Sequence, residues 1–334
     1  MSDKIFVTGA TGFLGSNLVR MLAGRGMDVR ILIRKGSSHP FLENLAIERV
    51  SGDVTDYESI KEGMMGCDLV YHVAGFLSYR LAEQRIMHDV NVGGTENVCR
   101  AALQNNVKRM LHVSSTSAVG IPENPDHPAD EDYPFDERWN RLPYMRTKRL
   151  AEETALGFID KGLDVVSANP STFYGAGDVK LHTGELFRNI DSGRLSAAPP
   201  GGNGVIAIDD CARGLIAVME RGKTGERYIL NSENLKFIEI FNTITEVLDR
   251  PPIKKILPRW IYPFALFGAA LVERTGALFG RPSKLSAGTV RMSWQFRYFD
   301  SSKARKDLGW KPSVPFKKAC EEALDFYKHT GVIE

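Results

Sequence analysis

Short apolar runs alternate with longer segments of helical periodicity through the first half of the chain. The runs are rich in Val, Ile and Leu, as buried strands are, and the predicted strands are Lys4–Thr8, Val29–Ile33, Ile47–Ser51, Asp68–Val73, Met110–Ser114 and Asp164–Ala168. Between them apolar residues recur every three or four positions, and the predicted helices are Gly15–Ala23, Glu58–Met65, Val90–Asn105 and Tyr144–Lys161. Strand–helix–strand repetition predicts an α/β fold built on a doubly wound parallel sheet. Ligands of such a sheet bind at the carboxyl ends of its strands.

The pattern changes after Pro170. Residues 175–204 show no periodicity, and then further elements follow, predicted as strands Val205–Ile208 and Arg227–Leu230 and helices Asp210–Glu220, Phe237–Leu248 and Phe316–Lys328. We expect residues 1–175 to form the sheet domain, with residues 205–232 returning to the sheet. Residues 176–204 and 233–334 should form a smaller C-terminal lobe that binds the substrate.

Composition and charge narrow the class of protein. The 334 residues are 43% hydrophobic and 25% charged, which is ordinary for a globular enzyme. The net charge is only +2, and no long like-charge run offers a surface for nucleic acid. The longest apolar stretch, Trp260–Val272, contains Pro263 and Gly268 and is shorter than the ~20 residues that a membrane span needs. No signal-peptide pattern opens the sequence, so we expect a cytoplasmic protein with no transmembrane segment.

The cysteines indicate buried thiols and no metal or disulfide framework. They lie far apart, at Cys67, Cys99, Cys211 and Cys320. Neither a Cys-x-x-Cys pair nor a spaced set of His, Cys and acidic residues is present to suggest a metal site.

The first predicted strand ends in a glycine-rich loop that leads at once into a helix. Gly9, Gly12 and Gly15 stand at positions i, i+3 and i+6. Such glycines allow a tight turn, a close approach to a pyrophosphate and close packing of helix on strand. The helix N-terminus adds unpaired N–H groups and partial positive charge. A purely structural turn could carry the same triplet, but its place between strand and helix favours dinucleotide binding.

The end of the second predicted strand indicates which dinucleotide the chain binds. An NAD site usually has an Asp or Glu there for the ribose hydroxyls, whereas this chain has Arg34 and Lys35, followed by Ser37. The two cations could bind a 2′-phosphate, so we expect NADP(H) to be favoured over NAD(H). The alternative is a solvated basic turn.

A tyrosine and a lysine stand four residues apart in a predicted helix. Tyr144 and Lys148 would therefore lie on one face, where a cation beside the phenol lowers its pKa. Such a tyrosine can exchange a proton with a carbonyl or hydroxyl group while a hydride moves. The strand Met110–Ser114 supplies hydroxyls at its carboxyl end, within the run Ser114–Ser117. Isolated Tyr/Lys pairs are common on surfaces, but the glycine loop and this serine-rich strand end favour catalysis.

With these features the sequence resembles the extended short-chain dehydrogenases/reductases of the NAD-dependent epimerase/dehydratase superfamily. The likeness covers nearly the whole chain, through Thr8–Gly15, Gly52–Val54, His72–Gly75, Asn91–Thr95, Tyr144–Lys148, Pro170–Gly175, Phe299–Ala304 and Leu308–Trp310. It implies a Rossmann fold. The Pro-Pro-Gly-Gly-Asn-Gly segment before Val205 and the run Gly225–Leu230 look like the dihydroflavonol reductase-like and hydroxysteroid dehydrogenase-like branch.

The resemblance implies individual roles for residues at the strand ends. Asp53 and Val54 would bind the adenine, Ala74 and Gly75 would line the phosphates and ribose, and residues 170–172 would contact the nicotinamide. The expected cofactor-binding residues are Gly9, Thr11, Gly12, Phe13, Leu14, Gly15, Arg34, Lys35, Asp53, Val54, Ala74, Gly75, Asn91, Tyr144, Lys148, Pro170, Ser171 and Thr172.

The family pattern, matched without gaps, places the catalytic hydroxyl at Ser115. Ser115, Tyr144 and Lys148 are then the expected catalytic residues, with Thr116 as the rival if the register slips by one. Ser117 and Tyr174 are the expected substrate-binding residues. Metal ligands are absent from the expected site.

Three polar residues admit a structural interpretation. Asn91 could cap a helix or could help to hold the centre of the site, as the family likeness implies. The adjacent acids Asp209 and Asp210 look catalytic, but neighbouring side chains diverge and Asp210 precedes a predicted helix. We therefore interpret Asp210 as an N-cap and exclude both acids from catalysis.

Three functions compete for this chain. The resemblance favours an NADP(H)-dependent oxidoreductase that interconverts a ketone and a secondary alcohol on a bulky, apolar small molecule. An NAD-dependent nucleotide-sugar epimerase or dehydratase is the alternative, with Lys180, Arg188 and Arg194 as available cations. A non-catalytic dinucleotide sensor is the third. Family habit also implies a homodimer.

The apolar segment 256–272 has no assigned role. It could be a core helix between the lobes, an apolar substrate mouth or a contact with a membrane surface.

Overall fold

A parallel sheet forms the centre of the molecule in the computed structural model, which describes residues 3–37, 39–278 and 286–333. The strands are β1 (Lys4–Thr8), β2 (Asp28–Ile33), β3 (Glu48–Ser51), β4 (Leu69–His72), β5 (Arg109–Val113), β6 (Val165–Pro170), β7 (Thr172–Tyr174), β8 (Ala197–Ala198), β9 (Gly202–Ala207), β10 (Arg227–Leu230), β11 (Glu233–Lys236), β12 (Lys255–Ile256) and β13 (Phe296–Arg297). The helices are α1 (Phe13–Gly24), α2 (Tyr57–Gly63), α3 (Gln84–His88), α4 (Gly94–Gln104), α5 (Pro143–Leu156), α6 (Gly184–Asp191), α7 (Ile208–Arg221), α8 (Phe237–Val247), α9 (Tyr262–Leu278), α10 (Ala287–Ser293), α11 (Ser302–Leu308) and α12 (Phe316–His329).

The order of the main sheet is β3-β2-β1-β4-β5-β6-β10, and every neighbouring pair is parallel. Helices cover both faces. One core joins the sheet to α1 and α7 through residues such as Leu18 and Leu215, and the other joins it to α2 and α4 through Ile60 and Val98. The predicted doubly wound α/β fold is therefore confirmed. The strand order reverses between β1 and β4, so this edge is where a ligand should bind.

Within residues 205–232, for which a return to the main sheet is expected, β10 joins that sheet and β9 does not. β10 pairs with β6, but β9 lies in a second sheet, where it is parallel to β7 and β13 and antiparallel to β11. The chain leaves the main sheet after Pro170, and β7 begins two residues later, at Thr172. The second sheet therefore starts next to the end of β6.

The segment 175–204 contains a helix that its lack of periodicity concealed. The buried carboxylate of Asp178 accepts hydrogen bonds from the backbone N–H groups of His182, Thr183 and Gly184, at 2.8 to 3.1 Å. These bonds satisfy donors at the start of α6. α6 then packs with α8 and α12 in the core of the C-terminal lobe, around Phe187.

Asp210 is not an N-cap. α7 begins at Ile208, so Asp210 lies inside its first turn, where its buried carboxylate accepts hydrogen bonds from the backbone N–H groups of Ser313 and Val314. Asp209 instead forms an ion pair with Arg20 at 3.0 Å. Asp210 therefore ties the C-terminal segment to α7.

α9 is apolar on both of its sides. Its inner side packs on α10 and the segment that follows, with the Tyr262 ring 5.8 Å from that of Trp294. Its outer side exposes large apolar side chains. The core-helix interpretation is therefore wrong for the outer side. No helix in the described part of the chain is long and apolar enough to cross a membrane.

Candidate active site

The glycine loop fits β1, α1 and the end of β4 closely together. Gly9 has φ of +70°, and a Cβ built on it would lie 2.5 Å from the backbone nitrogen of Ala74. A Cβ on Gly15 would clash with the carbonyl oxygen of Gly9. A Cβ on Gly12 would meet only the Gly9 oxygen, at 3.1 Å, so the outer side of the loop stays open. Two glycines therefore serve packing, and the third leaves room for a ligand.

The N-terminus of α1 is not capped by a side chain, and no acidic residue lies in its first turn. The first backbone bond of the helix runs from Ser16 N to Gly12 O. The N–H groups of Phe13, Leu14 and Gly15 therefore precede the hydrogen-bonded part of the helix, although the first two side chains are buried in the core. Such an N-terminus binds anions, and together with the open loop it fits a dinucleotide pyrophosphate. Thr11 is partly exposed in the same loop.

Hydrogen bonds fix the ends of β1 and β4 to each other. Thr8 Oγ1 lies 2.7 Å from His72 Nδ1, and Ala74 N donates to Thr8 Oγ1. The other ring nitrogen of His72 lies 3.0 Å from Thr95 Oγ1 on α4. Burial lowers the pKa of His72 to about 3, so this ring is neutral. The neutral His72 ring therefore links Thr8 to Thr95 without adding a charge at the ends of these strands.

Asn91 links three elements of the site and does not cap a helix. The helical stretch begins at Gln84 and continues through α3, a π-turn at residues 89–93 and α4, so Asn91 lies inside it. Its amide accepts from Phe76 N at 2.7 Å, and donates to Phe76 O at 3.0 Å and to Thr147 Oγ1 at 3.2 Å. The capping interpretation is therefore wrong. Asn91 holds the loop after β4 against α5.

Lys148 lies in the centre of this arrangement. Its side chain is buried, and Nζ donates to the carbonyl oxygen of Val113 at the end of β5, at 2.8 Å. A Cβ built on Gly75 would lie 3.9 Å from Nζ. Burial lowers the pKa of Lys148 to about 8, while the charge of Glu152 acts in the opposite direction. The structure thus brings Gly75, Asn91 and Lys148 together, as the sequence predicts.

Tyr144 lies one turn before Lys148 on α5, which starts with Pro143 in its first turn. Its ring is partly exposed and stands edge-on to Tyr79, with centroids 5.9 Å apart. Burial raises its pKa, and the negative charge of an ionised Tyr79 acts in the same direction. A hydrogen bond with Ser115 and the charge of Arg297 lower it. The spacing of Tyr144 and Lys148 predicts a lowered pKa. The pKa of Tyr144 is raised instead, because desolvation outweighs the lowering effects of Ser115 and Arg297.

Ser115 stands apart from its neighbours in the run of four hydroxyl residues. It is partly exposed, whereas Ser114, Thr116 and Ser117 are buried. Ser115 has extended backbone angles, and its Oγ accepts a hydrogen bond from Ser117 N at 3.1 Å. Among these four, Ser115 is the residue that interacts with Tyr144. This placement favours Ser115 over Thr116 as the catalytic hydroxyl, which stays a prediction.

The end of β6 supplies polar groups close to the same edge. Ser171 N donates to Leu230 O at 3.0 Å, and its buried Oγ has no hydrogen-bond partner among the described residues. Thr172 Oγ1 accepts from Asn203 at 2.7 Å. Tyr174 lies further along, buried in the lobe core with its ring 4.9 Å from that of Phe316. This position favours packing over the expected substrate contact of Tyr174.

The residues expected to bind the adenosine part of the cofactor lie at the ends of β2 and β3. Arg34 and Lys35 are exposed in a turn closed by a hydrogen bond from Ser37 N to Arg34 O. The Asp53 carboxylate accepts from both N and Oγ1 of Thr55, at 2.9 and 2.8 Å. Val54 is buried against Gly94 at the start of α4.

Arg297 is a residue that the sequence analysis missed. It lies in β13, and its positive charge partly opposes the rise that burial causes in the pKa of Tyr144 and of Tyr174. Its buried Nε has no hydrogen-bond partner among the described residues. No spacing or motif links it to Tyr144, because tertiary contacts such as the pairing of β13 with β9 bring this segment to the sheet edge.

Known proteins are similar to this chain along its whole length. The model of the NAD dependent epimerase/dehydratase family matches residues 5–231. A Synechocystis protein provisionally named dihydroflavonol 4-reductase is 34% identical over 339 residues, covering 100% of this chain and 97% of its own. Sterol demethylase protein B of Methylococcus capsulatus is 33% identical over 329 residues, covering 98% and 99%. The crystal structure of a nucleoside-diphosphate-sugar epimerase from Pseudomonas aeruginosa is 26% identical, with a TM-score of 0.80 and complete coverage of both chains.

The glycine loop, the Tyr144/Lys148 pair and these matches lead to one assignment. The chain belongs to the NAD-dependent epimerase/dehydratase family and is an NAD(P)-dependent reductase or dehydrogenase of the extended short-chain dehydrogenase/reductase type.

Proposed function

We propose that this enzyme uses NADP(H) to interconvert a ketone and a secondary alcohol on a bulky, apolar small molecule. The observation that carries the proposal is the placement of Tyr144 beside Ser115 at the carboxyl edge of the sheet, one turn from a buried lysine. Bound dinucleotide supplies or accepts the hydride.

The protein side chains supply the proton and hold the oxygen. Ser115 donates a hydrogen bond to the carbonyl oxygen of the substrate, and Tyr144 transfers its proton to that oxygen. Because the pKa of Tyr144 is raised, the phenol keeps its proton at neutral pH, which is the state that reduction requires. Lys148, fixed by Val113 O, binds the nicotinamide ribose, and Asn91 holds the surrounding loop in place.

The preference for NADP(H) is supported by the exposed cations after β2. Arg34 and Lys35 form no ion pair with any residue that the structure describes. Their charges are therefore available to a 2′-phosphate, for which guanidinium and ammonium groups are suited. The Asp53 carboxylate is already used by Thr55.

The proposed substrate class is supported by the surroundings of Tyr144 and by the relatives. The Tyr79 ring contacts the ring of Tyr144, and Leu77 on the same loop is exposed. One relative is named for a sterol pathway and another as a dihydroflavonol reductase. Both names refer to polycyclic molecules.

Substitution at Arg34 tests the cofactor choice. Arg34→Ala should raise the Kd for NADPH by about tenfold or more, because a charge-assisted bond is lost, and should leave the Kd for NADH nearly unchanged. Arg25→Ala is the matched control, since Arg25 is an exposed arginine at the other end of α1. An equal effect of Arg34→Ala on both cofactors would contradict recognition of the 2′-phosphate.

Nucleotide-sugar epimerase or dehydratase chemistry is the second candidate, and Arg297 favours it. A cation close to Tyr144 could bind a sugar diphosphate, and the Pseudomonas structure provides a relative with that title. Arg188 is a weaker candidate because it pairs with Glu185.

Mass spectrometry of small molecules released on denaturation separates the two candidates. The reductase should release little dinucleotide and should then bind NADPH in preference to NADH. Retained NAD at near-stoichiometric occupancy would favour the second candidate, because a recycled cofactor stays bound.

A further inference from the structure

The outer side of α9 and the turn before it carry an exposed apolar stripe. Trp260, Phe264, Phe267 and Leu271 are 70%, 71%, 73% and 52% exposed. The spacing of three and four residues places Phe264, Phe267 and Leu271 on one face of α9, and Trp260 lies in the 3-10 turn Arg259–Ile261 just before it. The opposite face is packed on α10, where Ala269 is buried with Val290. Side chains of this size rarely lie exposed in a row, so the stripe indicates an apolar partner.

Cations flank the stripe at both ends. Lys254, Lys255 and Arg259 are exposed just before it, and Arg274 is exposed after Leu271. The two lysines form no ion pair with any described residue. Aromatic and aliphatic side chains between lysines and arginines are the pattern of helices that lie in a lipid–water interface. Anionic headgroups would complement these charges, whereas the core of a protein–protein interface is depleted in lysine.

We propose that this stripe, residues 260, 264, 267 and 271, inserts shallowly into the surface of an anionic lipid bilayer. The helix lies in the plane of the interface, with its aromatic rings at the level of the acyl chains and the lysines at the headgroups. The binding is peripheral, because α9 is packed along its inner side and no described helix can span a membrane.

The helix that carries the stripe lies close to the loop that holds Tyr79, beside Tyr144. Glu273, two residues after Leu271, accepts a hydrogen bond from Leu81 N at 3.1 Å. Gly288, on the helix that packs against α9, lies so close to Tyr79 that a Cβ would be 2.9 Å from its carbonyl oxygen. Tyr79 in turn contacts Tyr144. Docking therefore brings the loop of Tyr79 close to the bilayer, and this extension, which rests on the proposed function, assigns substrates that are dissolved in lipid.

Tryptophan fluorescence gives a direct test of docking. Of the four tryptophans, Trp139, Trp294 and Trp310 are buried and Trp260 is exposed. Vesicles of phosphatidylglycerol and phosphatidylcholine with brominated acyl chains should quench the emission of the protein and shift it to the blue. Trp260→Phe should remove both effects. Vesicles of phosphatidylcholine alone should bind more weakly.

Paired substitutions separate the apolar and the electrostatic contributions in a vesicle-flotation assay. Phe264→Ser with Phe267→Ser should lower the vesicle partition coefficient by about tenfold or more, because the variant lacks the two rings that insert into the bilayer. Met65→Ser, at an exposed apolar residue outside the stripe, is the control. Lys254→Glu with Lys255→Glu should lower partition by about tenfold or more, and Lys306→Glu with Lys311→Glu, at exposed lysines elsewhere, should lower it less.

The outcomes distinguish docking from its rivals. Loss of flotation only in the stripe and Lys254/Lys255 variants supports the proposal. Absence of vesicle binding by the wild type overturns it. A shift from dimer to monomer in the stripe variant, without vesicle binding by the wild type, also overturns it and assigns the stripe to a second copy of the chain. Turnover of a water-soluble ketone is measured in parallel, so that failure of the proposed function is recognised separately from failure of docking.

Discussion

The carboxyl edge of the main sheet and the outer side of α9 use their side chains in opposite ways. At the sheet edge, polar groups are held by specific partners: Asn91 makes three hydrogen bonds and Lys148 is fixed by Val113 O. On α9, large rings such as Phe264 and Phe267 are exposed. The first region is a preorganised site in which Asn91 and Lys148 are held by partners within the chain. The second is a surface whose large side chains have no covering partner among the described residues.

Tyr144→Phe should produce the largest effect, because it removes the proposed proton donor from the preorganised region. We expect kcat for ketone reduction to fall by about 10²- to 10⁴-fold. The Kd for NADPH should stay within about twofold, since no packing group is lost. Tyr79→Phe is the matched control and should retain most activity. Steady-state kinetics and fluorescence titration measure both quantities, and full turnover by the Tyr144→Phe variant would refute the assignment of Tyr144.

Arg227→Met tests how much the buried ion pair between Arg227 and Glu152 contributes to the stability of the fold. Glu152 is buried, pairs with Arg227 at 3.0 Å and accepts from Asn169 at 2.6 Å. Removing the cation leaves a buried carboxylate short of a partner and should lower the free energy of unfolding by about 3 kcal/mol. Arg25→Met breaks an exposed pair with Glu220 and should cost less than about 1 kcal/mol. Urea unfolding compares the two, and equal costs would show that burial of the pair is unimportant.

Alanine substitutions at two glycines of α1 should change the free energy of unfolding by smaller amounts and in opposite directions. Gly15→Ala forces a Cβ against the backbone of Gly9 and should lower the free energy of unfolding by about 1–3 kcal/mol, with weaker NADPH binding. Gly24→Ala places a Cβ in open space and should raise stability by up to about 1 kcal/mol. A tolerated Gly15→Ala with unchanged cofactor affinity would mean that the close contact of helix and loop is dispensable.

Substitution of the outer side of α9 should have the smallest effect on folding. Phe264→Ser with Phe267→Ser should change the free energy of unfolding by only about 0.5 kcal/mol, since the rings are already exposed to water. Val290→Ala, on the inner side of the same helix pair, should cost about 2 kcal/mol. A large loss of stability in the double variant would place its rings in a packed core instead.

The sequence predicts the sheet edge well because each signal there is local. The glycine spacing, the strand-to-helix order and the Tyr144/Lys148 spacing each depend on a few consecutive residues. One expectation failed because burial decided the outcome: the pKa of Tyr144 depends on desolvation that no spacing reveals. Of the two interpretations of Asn91, capping required its helix to start at Val90, whereas the helical stretch starts at Gln84.

The C-terminal lobe was less predictable because its elements meet through distant partners. The backbone N–H groups at the start of α6 are bound by Asp178, and Arg297 reaches the site through tertiary contacts such as the pairing of β13 with β9. The apolar run 256–272 could not be interpreted from its composition, because core helices and surface-binding helices can have the same apolar composition. Only the packing of α10 on one side shows that the other side is free of a partner among the described residues.

Deuterium transfer tests the central claim most directly. The wild-type enzyme is incubated with NADPH that carries deuterium at the transferable position and with a panel of steroid and other polycyclic ketones. We predict an alcohol that carries deuterium on the former carbonyl carbon, formed over many turnovers and more slowly with labelled NADH. Absence of labelled alcohol from every ketone, together with NAD retained through purification, would contradict the reductase assignment.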